Sequence, residues 1–147
     1  MTFELSYAIQ QLFIEAGREK QEHDKLSDGL LSALHCVFGQ PLLYALDLVD
    51  RNKVTEYTCS SGRTAFTVTG SSGQSYVCLP TSNFCTCPSY VYTVLVKGDA
   101  AMCKHVLAMR LSRAMGCQVK KHISDNDLAD LLCEGIDTSH CIIKETR

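Results

Sequence analysis

No run of apolar residues in this 147-residue chain approaches the roughly 18 that a membrane-spanning helix needs. Met1 to Gly17 carries Glu4 and Glu15 but no basic cluster, so neither an anchor nor a signal peptide is read there, and a soluble, intracellular protein with no membrane partner is expected. Neither charge dominates: 14 Lys and Arg stand against 16 Asp and Glu, for a formal net charge of -2. That balance excludes a globally basic nucleic-acid coat, and any DNA contact must use a local patch. Internal repeats and low-complexity tracts are missing. So are a Gly-rich phosphate loop, an H-E-x-x-H pair and any Ser, His and Asp arrangement at motif level, and a protein without enzymatic activity is expected.

What the chain does have is an ordinary globular composition, 46% apolar and 20% charged, at one domain's length. It also has nine cysteines. An odd number without a secretory signal argues against a disulfide framework and for reduced thiols, some of them metal ligands.

The apolar pattern predicts an α+β fold in three stretches. Residues 1–53 read as helical, 54–116 as a β-meander with a metal motif at 85–105, and 117–147 as a C-terminal helix with a flexible tail, together one compact unit. Phe3, Leu5, Ile9, Leu12, Phe13 and Ala16 predict a helix that stops at Gly17, followed by a solvated link from Arg18 to Lys25. A second helix spans Leu26 to Phe38 with Gly39 as its stop, and a third begins at Pro41. From Val54 the period changes. Val54 to Cys59, Thr64 to Thr69 and Gln74 to Leu79, separated by Ser- and Gly-rich turns, predict a small antiparallel meander of about three strands. A further extended piece from Asn83 to Cys87 stops at Pro88. Ala101 to Met115 returns to helical spacing, and Ser124 caps a last helix whose apolar face is Leu128, Leu131 and Leu132.

The strongest chemical signal is Cys85-x-Cys87, fifteen residues, then Cys103-x-His105. On a strand, side chains two apart point to one face, so Cys85 and Cys87 can close on one ion. On a helix, two apart means about 200° of rotation, so Cys103 and His105 must straddle a helix start. Three thiolates and an imidazole select one Zn²⁺ in a closed tetrahedron, a structural site with no position for water. Lys104 is expected beside the sulfurs to offset their charge. Two readings compete with this set: Cys117 or His122 in place of His105, and simple core packing of buried thiols.

Cys85-Thr86-Cys87 with Cys103-Lys104-His105 resembles the SWIM-type zinc finger, whose pattern is C-x-C, a variable spacer, then C-x-H at a helix start. The wider context, ALDLVDR at Ala45 to Arg51, SGR at Ser61 to Arg63 and GSSGQSYVCL at Gly70 to Leu79, is similar to the family of small SWIM-domain subunits of Shu-type complexes. The resemblance covers roughly residues 26 to 134. It implies a nuclear, non-catalytic factor of homologous recombination. Such a subunit pairs as a heterodimer with an ATPase paralogue of RecA-type fold, and so promotes recombinase filaments in double-strand break repair and meiosis.

A scaffold needs an apolar surface. Phe3, Ile9, Leu12 and Phe13 of the first helix and Leu42, Leu43, Leu46 and Val49 of the third are candidates for it, with burial around the sheet as the even alternative. Lys97, Arg110, Arg113, Lys120 and Lys121 form a locally basic strip that could meet single-stranded DNA, although no series of exposed aromatics accompanies it and a solvated helix face explains the charges more often.

Overall fold

Helix α1 (Phe3–His23) does not stop at Gly17. A Cβ at Gly17 would lie 2.6 Å from the carbonyl oxygen of Ala114, so glycine is there because another helix crosses close by. Beyond it the helix is sustained by Arg18, which binds Glu15 one turn back and Glu22 one turn ahead. The expected solvated link is therefore the last third of a helix. The computed structural model describes residues 3–88, 90 and 102–134.

Helix α2 (Asp28–Phe38) starts where Ser27 accepts the Leu30 amide at 3.2 Å. Ser27 in turn donates to the buried Glu19 carboxylate, through its amide at 2.9 Å and its hydroxyl at 2.7 Å. Those two bonds hold the Glu19 carboxyl below the usual carboxylate range, the backbone bond contributing most. Helix α3 (Pro41–Asp50) follows, with proline in its first turn.

The meander is β1 (Val54–Thr58), β2 (Thr64–Thr69) and β3 (Ser75–Leu79), antiparallel throughout, with the two-residue β4 (Phe84–Cys85) added to β3. Helix α4 (Lys104–Met115) ends at Gly116, whose φ of 67° is the left-handed conformation that favours glycine. After it comes β5 (Val119–His122), which pairs parallel with β1. The sheet is thus mixed and five-stranded, in the order β4-β3-β2-β1-β5, rather than a meander of three. Residues 125–134 are helical (α5), and Ser124 accepts the Asp127 amide at 3.1 Å as its cap.

Register decides what each face does. Val54, Phe66, Val68, Cys78 and Cys85 point to the side covered by α4, where they join Leu34, Leu42, Val106, Leu107 and Leu111 in the main core. Full burial of each valine, leucine or phenylalanine among them is worth about 1.5–3 kcal/mol. The opposite face is smaller: Ala65 with Cys59 and Leu128, flanked by Tyr57, Leu79, Ile123, Leu131 and Leu132. Among the described residues no helix is long and apolar enough to cross a membrane.

Candidate metal centre

Four side chains from two separate segments meet at one point. The donor atoms of Cys85, Cys87, Cys103 and His105 all lie within 4.8 Å of one another, and all four residues are buried. Each arrives for a local reason. Cys85 is the register partner of Cys78, which turns it toward α4. Thr86 then binds Val77 twice, giving its amide to the Val77 carbonyl at 3.1 Å and accepting the Val77 amide on its hydroxyl at 3.0 Å. The segment stays pinned to β3 while Cys87 leaves the ladder. Cys103 is the N-cap of α4, with extended backbone and a sulfur that accepts the Val106 amide at 3.5 Å. His105 then falls within the first helical turn, so the pair straddles the helix start as the spacing requires.

The dimensions suit one tetrahedral ion. Metal–sulfur bonds of about 2.3 Å and metal–nitrogen bonds of about 2.0 Å set sulfur and nitrogen roughly 3.6 Å apart. Cys85 Sγ and His105 Nδ1 are 3.8 Å apart. The imidazole is fixed by Tyr76, whose ring centroid is 4.6 Å from its own.

Electrostatics point the same way. Cys87 is held low, chiefly by hydrogen bonds from Cys103 and Cys85, with His105 and the Tyr90 amide adding to them against burial. Cys103 is pushed up by Cys85, by Cys87 and by burial. Cys85 is eased by Cys103 but raised on balance by Cys78, Cys87 and burial. Three sulfurs this close oppose one another's ionisation, and a divalent cation at their meeting point would relieve that opposition. Backbone amides complement the sulfurs: Tyr90 N donates to Cys87 at 3.2 Å and Val106 N to Cys103.

Several side chains sit elsewhere than expected. Lys104 Nζ lies 5.1 Å from the centroid of the Tyr44 ring on α3, so its described contact is a cation–π one and not with the sulfurs. The rivals of His105 are not in the cluster; Cys117 donates to the Met115 carbonyl at 3.7 Å and His122 is exposed on β5. Ile9, Leu42 and Val49, named as interface candidates, are buried within the chain, Leu42 and Val49 because the sheet and α4 already use their face. Leu12, Phe13 and Leu46 are half-buried against the same core, which leaves Phe3 and Leu43 exposed. Arg110 is half-buried and donates through Nε to Asn83 Oδ1 at 2.8 Å; Arg113, Lys120 and Lys121 are exposed, and Lys97 lies outside the described residues. Sequence reasoning missed Thr86 and Tyr76. Tyr76 shares strand parity with Cys78, a signal available only once the register with Cys85 is known.

A C-x-C pair at the end of a strand, its second cysteine already off the ladder, and a C-x-H pair at a helix start, closed on one point inside an α+β domain, define a metal-binding finger of the SWIM type. Comparison agrees. The chain is 41% identical over 135 residues to zinc finger SWIM domain-containing protein 7 of Mus musculus, covering 91% of this chain and 88% of that protein. It is 42% identical over 123 residues to the Danio rerio protein of the same name, covering 84% and 88%, and 37% identical over 132 residues to that of Homo sapiens, covering 90% and 94%. No family model matches the chain, and no solved structure matches it significantly. The chain belongs to the zinc finger SWIM domain-containing protein 7 family.

Proposed function

We propose that the chain is a nuclear, non-catalytic scaffold whose four donors hold one structural Zn²⁺, and that it pairs with an ATPase paralogue of RecA-type fold to promote recombinase filaments in homologous recombination and meiosis. The observation that carries the reading is the closed, buried S₃N set in a member of this family. Four protein donors fill a tetrahedron, so the metal's role is to join β4 to α4 and leave the outer surfaces to a partner. Elemental analysis of the purified chain should return about one zinc per molecule. Co-expression with the RecA-fold subunit should yield a heterodimer that lengthens the lifetime of recombinase filaments on single-stranded DNA. A monomer that ignores the ATPase subunit would defeat the scaffold reading.

Direct contact with single-stranded DNA is the second reading. It is favoured by Lys120 and Lys121, exposed on the outer strand and in no ion pair among the described residues. Charge reversal of both lysines should then flatten the salt dependence of oligonucleotide binding and leave heterodimer formation intact.

A further inference from the structure

The outward side of α1 repeats at the spacing by which one helix pairs with another. Phe3, Tyr7, Gln10 and Ile14 follow in steps of four, three and four. Phe3 is 83% exposed, Tyr7 57% and Ile14 61%, so no described part of the chain covers the stripe. The face that α1 gives to the core is a different one, built on Leu12, Phe13 and Ala16.

Beside the stripe runs a cleft of about 300 Å³, walled by Tyr7, Ile9, Phe13 and Met102 and closed by Asn83 and Arg110. It continues between α1 and α4 past Gly17 to Arg113 and Ala114. No acidic residue lines either part. Arg110 finds only the neutral amide of Asn83, and Arg113 forms no ion pair among the described residues. On α1, Glu15 and Glu22 are both taken by Arg18 and Glu19 by Ser27. A half-buried guanidinium with a neutral acceptor, one helical turn from a second, is complementary to a carboxylate that comes with its own apolar surface.

We propose that the α1–α4 cleft docks an amphipathic helix of a partner protein, which lays apolar side chains along Phe3, Tyr7 and Ile14 and sets a carboxylate against Arg110 and Arg113. Gln10, polar in the middle of the stripe, fixes the register of that helix. A polynucleotide fits less well, since it needs a basic track that continues with the backbone and here two cations sit in a largely apolar wall. The inference rests on the reading that the chain works by pairing with a partner protein.

The probe is a fluorescein-labelled helical peptide of about 16 residues, with leucines along one face at the same spacing and glutamates beside them. Twins carry glutamine or lysine in place of glutamate. With the zinc-loaded full chain, the glutamate peptide binds and the glutamine twin binds about tenfold more weakly. Arg113→Glu loses the glutamate peptide and gains the lysine twin, and Tyr7→Ser weakens binding of the glutamate peptide. Both sites are exposed, and circular dichroism confirms that the variants stay folded. Absence of binding, equal binding of the glutamate and lysine peptides, or indifference to Arg113→Glu overturns the proposal. So does a labelled oligothymidylate that binds the cleft in preference and is lost with Arg113→Glu. Co-expression with the RecA-fold ATPase subunit separates this inference from the function beneath it. A heterodimer untouched by both variants removes the cleft as its interface and keeps the pairing. Failure to form any heterodimer, with the charge-swapped peptide pattern intact, removes the pairing and keeps the cleft.

Discussion

Replacing glycine by alanine in a helix ordinarily stabilises it by up to about 1 kcal/mol, and Gly17→Ala should do the reverse. The new Cβ would stand 2.6 Å from the Ala114 carbonyl oxygen, about 0.8 Å short of the 3.4 Å at which ordinary contact begins. The obstacle is backbone, so no side chain can swing aside, and α1 must lift off α4 by most of that shortfall or bend. Overpacking of this kind costs about 1–3 kcal/mol, against which the propensity gain offsets up to about 1. A net loss of about 1–2 kcal/mol follows. In urea, with a slope of about 1.5 kcal/mol per molar, the midpoint should fall by about 1 M. Gly29→Ala is the matched control, because it too lies in a helix, is exposed, and has nothing within 4 Å of the added methyl. It should leave the midpoint unchanged or raise it slightly. A Gly17→Ala midpoint at or above that of the parent chain would show that the helices do not approach as described.

Cys103→Ser should abolish stoichiometric zinc by elemental analysis and cost more than an ordinary core substitution, since structural zinc in small fingers is worth about 10–16 kcal/mol of apparent free energy. Lys104→Met should keep the full complement of metal and lower stability by no more than about 0.5–1 kcal/mol, the worth of an exposed cation–π contact; loss of zinc in this variant would restore Lys104 to the sulfurs. Glu19→Gln should destabilise the chain at neutral pH. Because the folded carboxyl lies below its ordinary 4.5, its contribution is complete above that value and fades as the pH falls through the lower folded one, so parent and variant should converge in acid denaturation midpoints.

Much of this architecture could be read before any coordinates. Gly39 and Pro41 bound α2 and α3 through local chemistry that acts within a few residues, whereas sequence reasoning missed the cap at Ser27, just past the expected start at Leu26. The C-x-C and C-x-H spacings carried enough geometry to predict that Cys103 begins a helix, and it does. The failures share one cause, which is that distant partners override local signals. Gly17 looks like a helix stop until Ala114 is seen against it. Val119 to His122 offers two lysines and no alternation of apolar residues, and becomes a strand only because β1 presents a free edge. Leu42 and Val49 look like surplus apolar residues when counted along one helix, yet α4 and the sheet absorb them. Lys104 was assigned by adjacency in sequence, and the helix carries its side chain to Tyr44 instead.

β4 and β5 are opposite borders of the sheet, and α4 is the described element that leads from one toward the other. Its cysteine-capped end is tied down at the β4 border and its glycine-capped end delivers the chain to the far side, like a girth strap buckled once. The parallel pairing of β5 with β1 closes across the length of α4, so disrupting the four donors should lower amide-exchange protection in β5, well away from the thiols themselves.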